Sequence, residues 1–390
     1  MSDSHSEYQY DYSTRGPYGA FRRTSNAFGA AFIGFLLFIA SFGILYWNET
    51  QVDSSKIANK AYVINAEKEV PNSNLENKVV MITGNVSSDE EIGDNLYLKP
   101  DNLIAYNRKV EMYAWVESKT TRNYEELDGT TVKKTTYSYN KQWKENPQNS
   151  NNFKDSIEHE NPIKRINNDV KKAESVKIGD FRIMLKDFDY PPYERLNLSE
   201  ENIQLSNDIT IASNQYLFMG RGSLQAPQLG DTRISYTVIK SGFSGTALGK
   251  YNNEKIESYF DQKTGKNLSR LFKGGIDEAV GKMKTEYTQR LWIFRGVGLF
   301  IMWLGICMFF EPLNASLHIF PVVGSFLSSI AGVLTGFISL IISIVLTAIT
   351  IFVVNILKNI YVLIGVIIVS FAICLYIIKI VGKTRNKLPV

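Results

Sequence analysis

The sequence predicts an α+β multi-pass membrane protein, in which four transmembrane helices accompany a large β-rich extramembrane domain between the first helix and the second. Three observations support this prediction. Charged residues occur throughout positions 48–290, whereas 292–381 is almost wholly apolar. An uncharged apolar run at 27–47 has the length of about 20 residues that a helix needs to cross a bilayer. Within 48–290, several segments alternate apolar and polar residues with the two-residue period of β-strands.

The run from Ala27 to Trp47 is interpreted as an uncleaved anchor and as the first transmembrane helix. A cleaved signal peptide, the alternative, has a shorter apolar core and small residues before its cleavage site. This run ends instead in Tyr46 and Trp47, aromatic residues of the type that favours the lipid–water interface.

Three further spans are predicted in the apolar C-terminal third by the same length rule. The second transmembrane helix covers 291–310 and ends before Pro312, which stops a helix because it lacks a backbone N–H. The third helix covers 331–355 and the fourth covers 360–381. Residues 311–330 form a connecting segment, and a short re-entrant or interfacial helix in its second half is an open alternative.

Four spans place both chain termini on one side of the membrane, and short basic flanks stay on the cytoplasmic side. Residues 1–26 and 382–390 are therefore predicted to be cytoplasmic tails, and 48–290 is predicted to be a lumenal or extracytoplasmic domain. The basic residues near the two ends are Arg15, Arg22, Arg23, Lys379, Lys383, Arg385 and Lys387. Glycosylation sequons compatible with this arrangement begin at Asn85, Asn197 and Asn267.

The clearest local pattern in the domain is a long antiparallel β-hairpin over 109–143. Asp128-Gly129 is a favoured hairpin turn. Both faces carry aromatic residues, so we expect one face to pack and the other to meet a partner or a second sheet. The first arm alternates Val110, Met112, Ala114 and Val116 with Glu111, Tyr113, Trp115 and Glu117. Further strands are predicted at Val79–Thr83, Phe181–Leu185, Ile209–Ala212 and Arg233–Lys240.

A Gly-Asp pair recurs at residues 93–94, 179–180 and 230–231, and the last two pairs run straight into strand-like segments. Because Gly and Asp both suit turns, we interpret the three pairs as turns. A diverged internal repeat is the alternative.

An amphipathic helix is predicted to end the domain and to run into the second span. Apolar residues recur there at a spacing of three to four, with lysines and acids between them. The helix either lies on the bilayer or covers the sheet. The recurring residues are Phe272, Ile276, Val280, Met283, Tyr287 and Leu291.

Composition disfavours nucleic-acid binding and most catalytic chemistry. The net charge of +4 is too small to indicate a nucleic-acid partner. The domain contains one histidine, His159, and neither of the two cysteines, Cys307 and Cys374, so it lacks the usual zinc ligand sets. It also lacks a G-x-S-x-G nucleophile elbow and a phosphate-binding loop. We therefore predict no enzyme, no catalytic residue, no cofactor and no metal, while catalysis by carboxylates alone stays open.

Two titratable residues have competing interpretations. His159 is interpreted as a loop or surface histidine, because an unpaired histidine lacks the orienting partners that catalysis needs. Arg295, close to the start of the second span, is expected to snorkel to the interface, and an ion pair with Glu49 is the alternative.

Small residues that permit close helix contact in the third span are Gly332, Gly336, Ser339 and Ser343.

A set of motifs follows one order along nearly the whole chain. In sequence they are Trp47-Asn48-Glu49, Val110-Glu111-Met112-Tyr113, Trp115-Val116-Glu117, Tyr137-Ser138-Tyr139-Asn140, Trp143, Asn152-Phe153, His159, Asn161-Pro162, Gly230-Asp231, Arg233, Ser235 and Arg295. In this order and in its four-span layout, the chain resembles the LUMA (transmembrane protein 43) family. One departure is Thr50, where the family often has glycine, so the turn that follows the first span is expected to be less flexible.

The resemblance implies a self-associating scaffold of the endoplasmic reticulum and inner nuclear membrane, with its large domain in the lumen. It implies lamins and emerin as partners if the protein is from an animal, and a cell-membrane location if it is bacterial. The family has no established catalytic residues. The motif residues are therefore interface candidates: Trp47, Asn48, Glu49, Glu111, Tyr113, Trp115, Tyr139, Trp143, His159 and Arg295.

The leading hypothesis is a membrane scaffold that organises membrane protein complexes and the nuclear envelope through self-association and partner binding. The competing class is a membrane-bound enzyme or lipid-handling protein, for which an acid-lined cavity opening toward the bilayer would be evidence. A channel or transporter ranks last, because the spans offer few charges to line a path.

Overall fold

The computed structural model describes residues 3–11, 16–125, 131–206, 208–262, 264–316 and 324–358. The chain divides into two compact units, each made from separate stretches of sequence. The first, which we call the β domain, comprises residues 1–11 and 53–284. The second, which we call the helical unit, comprises residues 12–52 and 285–390. This division follows the segregation of charged and apolar residues along the chain.

The described helices include the first three predicted spans. Their bounds are α1 Gly16–Thr50, α2 Ser55–Ala58, α3 Ile276–Phe309, α4 Glu311–Ser316 and α5 Gly324–Lys358. Among the described residues, three helical segments are long and apolar enough to cross a membrane: Ala27–Ala58, Ile276–Asn314 and Ile330–Lys358. As expected, Pro312 lies just beyond the end of α3. The predicted fourth span, 360–381, lies outside the described residues.

The strands of the β domain are short except for the predicted hairpin and its neighbours. In chain order they are β1 Asp3–Asp11, β2 Tyr62–Asn65, β3 Val79–Ser87, β4 Leu103–Glu125, β5 Thr131–Lys144, β6 Asp169–Lys172, β7 Ser175–Ile178, β8 Phe181–Met184, β9 Glu194–Arg195, β10 Thr210–Ser213, β11 Tyr216–Met219, β12 Thr232–Lys240, β13 Phe243–Asn252, β14 Lys255–Glu257, β15 Phe260–Asp261, β16 Lys266–Asn267 and β17 Arg270–Lys273. The four separate strands expected from the sequence correspond to β3, β8, β10 and β12.

The hairpin forms the centre of an eight-stranded sheet with the order β1-β5-β4-β12-β11-β10, in which β6 also pairs with β4 and β9 with β12. Strands β4 and β5 pair antiparallel from Met112 opposite Lys144 to Glu125 opposite Thr131. The predicted hairpin is thereby confirmed, and its turn at 128–129 lies outside the described residues. The alternating pattern explains the strand, because every second residue of the first arm is buried.

A seven-stranded sheet carries the larger hydrophobic core. Its order is β17-β13-β14-β8-β7-β3-β2, and an additional pairing of β13 with β3 closes five of the strands on themselves. The enclosed side chains include Ile82, Ile178, Phe181, Ile183 and Ile256, each fully or almost fully buried. β-Branched and aromatic residues fill this interior because they pack densely against a pleated surface.

The amphipathic segment of α3 covers this sheet, which decides between the two alternatives left by the sequence. Ala279 and Met283 are buried in one cluster with Met81 and Leu248. Phe272, which the periodicity had assigned to the helix, belongs to β17 instead. Gly274, with a positive φ of 100°, lies between that strand and the helix and marks the change of direction.

Both ends of the first predicted span differ from expectation. Residues 1–26 were expected to be a tail, but 3–11 form β1 at the edge of the eight-stranded sheet and α1 begins at Gly16. Asn48 and Glu49 were expected to begin the domain, but α1 continues through them to Thr50. Their polar side chains are buried because other helices of the helical unit supply partners for them.

Close helix contact in the helical unit occurs at glycines other than those expected. A Cβ atom on Gly34 of α1 would lie 2.6 Å from the carbonyl oxygen of Gly305 on α3, and one on Gly305 would lie 2.7 Å from that of Gly34. Of the four small residues expected in α5, Ser339 and Ser343 are buried, whereas the corresponding space around Gly332 and Gly336 is open. The contact of α1 with α3 therefore depends on small residues, as membrane helix packing commonly does.

Candidate functional site

The motif residues of the β domain lie together on one face of the eight-stranded sheet. The even-numbered residues of 110–116 are buried, and the odd-numbered residues point to the opposite face. The register brings residues of β5 and β12 opposite them, where they share that face. The opposed pairs are Tyr113 and Trp143, Glu117 and Tyr139, and Glu111 and Arg233. We call this surface the motif face and define it as Glu111, Tyr113, Trp115, Glu117, Tyr139, Trp143 and Arg233.

One end of the motif face is organised by an ion pair. Arg233 Nε donates to Glu111 Oε2 at 2.8 Å, and the guanidinium lies over the ring of Trp143, 4.7 Å from its centroid. Tyr113 also contacts this indole, with ring centroids 5.4 Å apart. Burial alone would raise the pKa of Glu111, but hydrogen bonds from Arg233 and Lys109 outweigh it, so the pKa is lowered. This end of the face is a fixed, charged aromatic surface.

The other end is covered by the loop of residues 145–163, which His159 anchors. The imidazole of His159 stacks on Tyr139 with ring centroids 3.8 Å apart and meets the edge of Trp115 at 4.6 Å. Its Nδ1 lies 3.1 Å from the carbonyl oxygen of Asp155, which only accepts, so Nδ1 carries the proton. His159 is 2% exposed. His159 lies in a loop, as one part of the expectation had it. It is not at the surface, because aromatic partners from both hairpin strands enclose the ring.

Beyond the end of its pairing with β12, the backbone of β4 is hydrogen-bonded by a side chain of this loop. β12 pairs with β4 only as far as Met112. Farther along β4, Asn161 accepts from the Trp115 N–H at 2.7 Å and donates to the Trp115 carbonyl at 2.9 Å. Backbone groups that would otherwise lack a partner are thus satisfied by a side-chain amide. We call the assembly of residues 145–163 with the motif face the clasp.

Glu117 holds the middle of the clasp. Its Oε2 atom accepts from the Tyr139 hydroxyl at 2.7 Å and from the Lys154 backbone N–H at 2.6 Å. Burial of the phenol, together with its hydrogen bond to Glu117, raises the pKa of Tyr139 to about 12. Tyr139 therefore stays a neutral hydroxyl at physiological pH, and it also accepts from the Asp155 N–H.

The clasp presents two apolar side chains to solvent. Ile157 is 91% exposed and Ile163 is 90% exposed, whereas His159 between them is buried. A single exposed apolar residue is common on protein surfaces. Here two nearly fully exposed isoleucines project from a loop whose anchor and backbone contacts are fixed, which is an arrangement suited to binding.

We expect the substitution His159→Ala to release the clasp. The loss of two ring contacts and the void left behind should destabilise the loop by about 1–3 kcal/mol. Trypsin should then cleave more rapidly after Lys154, Lys164 and Arg165, which can be followed by mass spectrometry of the full chain in detergent micelles. His159→Phe, which keeps the stacked ring, is the matched control and should remain largely resistant. Equal cleavage rates for His159→Ala and the wild type would contradict the anchoring role.

The helical unit brings together motif residues of two helices, Asn48 and Glu49 of α1 and Arg295 of α3. Arg295 binds Glu49 with two hydrogen bonds, Nε to Oε1 at 2.7 Å and Nη2 to Oε2 at 2.9 Å. Asn355 of α5 donates to the same carboxylate at 3.3 Å, and Asn48 donates to the Leu291 carbonyl at 3.0 Å. We call Asn48, Glu49, Arg295 and Asn355 the polar cluster. Of the two interpretations of Arg295, the ion pair is the one observed.

The surroundings of the polar cluster are apolar. Trp47, the predicted interface anchor, is 49% exposed and packs edge-on against Phe294 with ring centroids 5.3 Å apart. Beside the cluster, α3 and α5 line a cavity of about 580 Å³ that includes Arg295 and Asn355 among mostly apolar side chains. A second cavity of about 330 Å³ is lined by apolar residues alone. No carboxylate lines either of these two cavities.

A buried carboxylate that was not among the sequence-predicted site residues links β4 and β12 of the eight-stranded sheet. Asp94, from the first Gly-Asp pair, has a fully buried side chain that pairs with Arg108 at 2.5 Å. It also accepts from the Tyr236 hydroxyl at 2.5 Å and from the backbone N–H groups of residues 96–98. Burial alone would raise the pKa of Asp94, but hydrogen bonds from Tyr236, the backbone and Arg108 lower it. The Gly-Asp turn was the available signal, but the partners of the carboxylate lie 14 and 142 residues farther along the chain.

The third Gly-Asp pair has a similar role. Asp231 is 3% exposed and accepts from the backbone N–H groups of Arg221, Gly222 and Gln228 at 2.9, 3.1 and 2.7 Å. These bonds close the loop that enters β12. Asp180 of the second pair is exposed. Among the residues that the structure describes, no three His, Cys, Asp or Glu side chains are grouped so as to hold a metal ion.

Comparisons with known proteins agree with one another. The family model described as TMEM43, transmembrane protein 43, matches residues 112–360. Human transmembrane protein 43 is 26% identical over 323 residues, which cover 78% of this chain and 79% of the human protein. The mouse protein of the same name is 25% identical over 323 residues, with the same coverage. The transmembrane protein 43 homolog of Drosophila melanogaster is 25% identical over 293 residues, covering 71% and 75%. No solved structure matches the chain.

Proposed function

The chain belongs to the transmembrane protein 43 family, and from this premise we propose that it is a multi-pass membrane scaffold whose β domain binds partner proteins. The apolar helices α1, α3 and α5 support the anchoring part of the proposal. The β domain supplies the binding part, with the clasp as its contact surface. The proposed location is the endoplasmic reticulum and inner nuclear membrane, or the cell membrane if the protein is bacterial.

The observation that carries this proposal is the presentation of Ile157 and Ile163. Most of the free energy of a protein interface comes from a few side chains that become fully desolvated. Both isoleucines are about nine-tenths exposed in the isolated chain, so a partner that covers them gains nearly their full burial. Because His159 and Asn161 already hold the loop, little further ordering is needed when a partner binds.

The partners proposed for the scaffold are a second copy of the chain and proteins of the nuclear envelope. For an animal protein, the family resemblance supports lamins and emerin as members of the same assembly. Self-association is proposed to use the apolar helices, whose outward faces carry large exposed side chains such as Phe337 and Phe352. Such an assembly would organise membrane protein complexes and the shape of the nuclear envelope.

The test is the double substitution Ile157→Asp with Ile163→Asp in the full chain. Proximity labelling from the β-domain side, compared between variant and wild type, identifies the partners that depend on the clasp. Binding to those partners should weaken at least tenfold, corresponding to about 1.4 kcal/mol or more. Val70→Asp is the matched control, because Val70 is also exposed in the β domain but lies outside the clasp. Equal labelling by wild type and double variant would reject the clasp as the binding surface.

Glycosylation provides a separate test of the proposed topology. Asn85, Asn197 and Asn267 are all exposed. If the β domain lies in the lumen, the chain expressed in eukaryotic cells should carry N-glycans, and substitution of all three asparagines by glutamine should abolish the mobility shift caused by glycosidase. Protease added outside sealed microsomes should leave the β domain intact. Digestion of the domain under those conditions would contradict a lumenal location.

A lipid-handling role is the second candidate, and the cavity beside the polar cluster is what favours it. The cavity of about 580 Å³ combines apolar walls with the guanidinium of Arg295 and the amide of Asn355, a combination that suits an acyl chain and its headgroup. Under this alternative, the purified chain would retain a stoichiometric lipid, and Ala348→Trp, which places a bulky ring in the cavity, would release it.

A further inference from the structure

The N-terminal segment shows how an extended peptide binds to the outer edge of β5. Residues 3–11 form β1 and pair antiparallel with β5 over nine positions, from Asp3 opposite Tyr139 to Asp11 opposite Thr131. The Ser6 and Thr136 hydroxyls lie 3.0 Å apart. Glu7 makes an ion pair with Lys154 of the clasp. The bound segment therefore uses side chains as well as the backbone ladder.

The edge and the segment have complementary charges. The segment DSHSEYQYD contains three carboxylates and no lysine or arginine. β5 carries lysines at 133, 134, 141 and 144, and the ammonium of Lys134 lies 5.3 Å from the centroid of the Tyr8 ring. The hydrogen bond and charge of Lys154 lower the pKa of Glu7, so the carboxylate stays ionised at neutral pH.

The proposed membrane topology separates residues 3–11 from the outer edge of β5. Strand pairing requires residues 3–11 and β5 to lie on the same side of the membrane. A spanning α1 places them on opposite sides, because residues 3–11 precede the apolar run 27–47 and β5 follows it. Burial of that uncharged run in lipid contributes far more free energy than the pairing of one exposed polar strand, since each fully buried large apolar side chain contributes about 1.5–3 kcal/mol. In the bilayer, the edge of β5 is therefore left open.

An open edge strand is a site for another strand. Its unpaired N–H and C=O groups form a template for strand addition, which proteins otherwise block or cover. We propose that the outer edge of β5, residues 131–139, docks an extended acidic segment of a partner protein as an added strand. This inference rests on the proposed function as a multi-pass membrane protein, in which α1 spans the bilayer and separates residues 3–11 from the β domain. It adds a second, peptide-type contact to that of the clasp.

The register defines what the docked segment must contain. Side chains of an added strand alternate between the two faces of the sheet. On the motif face, an acidic residue opposite Thr135 meets Lys154, as Glu7 does. On the other face, a small hydroxyl residue opposite Thr136 and an aromatic residue opposite Lys134 reproduce the contacts of Ser6 and Tyr8. We expect partners with alternating acidic and hydroxyl or tyrosine residues.

Disulfide trapping with a synthetic peptide tests the proposal. The probe is a peptide of residues 2–12 with Ser6→Cys, added to the full chain in lipid nanodiscs. The chain carries Thr136→Cys, with Cys307 and Cys374 replaced by serine. The peptide should form a mixed disulfide with Thr136→Cys at least tenfold faster than with Thr135→Cys, whose side chain lies on the opposite face. A probe that also carries Glu7→Lys, or a chain with Lys154→Glu, should react several-fold more slowly.

A second measurement separates this inference from the topology on which it rests. The full chain with both Ser6→Cys and Thr136→Cys is oxidised in sealed membrane vesicles. An intramolecular disulfide there would place the N-terminus on the β-domain side and would overturn both the topology and the inference. If no such bond forms and the peptide also fails to react in nanodiscs, the inference alone is wrong. Absence of the intramolecular bond together with register-specific peptide trapping supports it.

Discussion

Replacing Arg295 with methionine is expected to destabilise the helical unit by about 3–5 kcal/mol, because Glu49 would keep a buried charge without its partner. The Glu49 side chain is 2% exposed, and two of its hydrogen bonds come from Arg295. The amide of Asn355 carries no charge to compensate the carboxylate. The free energy of unfolding of the full chain in detergent micelles, measured by denaturant titration, provides the check.

The matched control removes both charges at once. Replacement of a buried ion pair by apolar residues of similar volume is often neutral, whereas breaking the pair is not. The double variant Glu49→Leu with Arg295→Met should therefore recover most of the stability that Arg295→Met loses. Arg295→Lys should lie between the two, because lysine keeps the charge but loses the two-pronged geometry. If Arg295→Met and the wild type unfold at the same denaturant concentration, the ion pair contributes nothing to stability.

Replacing Asp94 with alanine is expected to destabilise the β domain by about 3–5 kcal/mol, since Arg108 would be left buried and unpaired. The substitution also removes the acceptor of the Tyr236 hydroxyl and of the backbone N–H groups of residues 96–98. Pulse proteolysis of the full chain across a urea series measures the change.

Asp180 supplies the matched control for Asp94. It belongs to another of the Gly-Asp pairs but has an exposed side chain. Asp180→Ala should change stability by no more than about 0.5 kcal/mol, as is usual for surface substitutions. Similar losses for the two alanine variants would show that the turn, rather than the buried carboxylate, is what matters.

The same carboxylate should make stability depend on pH. The pKa of Asp94 in the folded chain lies below its ordinary value of about 3.9. Its ionised form therefore stabilises the fold fully above that ordinary value, and the contribution is lost as the pH falls toward the folded-state pKa. Between pH 6 and pH 3, the Asp94→Asn variant should lose less stability than the wild type. Parallel losses for the two would contradict the lowered pKa.

Elements with a strong local period were predictable from the sequence. The apolar runs at 27–47, 291–310 and 331–355 are long enough to require helices, and they coincide with α1, α3 and α5. The hairpin of β4 and β5 follows from two-residue alternation over 109–143, although β4 begins earlier, at Leu103. Boundaries were less predictable. Asn48 and Glu49 are polar, but they continue α1 because partners on α3 and α5 satisfy them.

The candidate site also has a part that was predictable from the sequence and a part that was not. Its residue types were visible in the sequence, and the alternation along β4 predicted that Glu111, Tyr113 and Trp115 share a face. The burial of His159 was not predictable, because its ring is enclosed by Trp115 and Tyr139, which lie tens of residues away and on different strands. Ile157 and Ile163 carried no signal at all, since a loop isoleucine has no period from which its exposure can be inferred.

The sequence by itself determined the class of this protein, three of its long apolar helices and its central hairpin, because hydrophobic length and alternation act through residues close together in the chain. Only the tertiary structure decided that Glu49 pairs with Arg295, that Asp94 pairs with Arg108 and that His159 is buried. Each of these depends on which distant segments meet. Buried charges and polar rings are tolerated only where the fold brings them a partner, and neither composition nor spacing identifies that partner in advance.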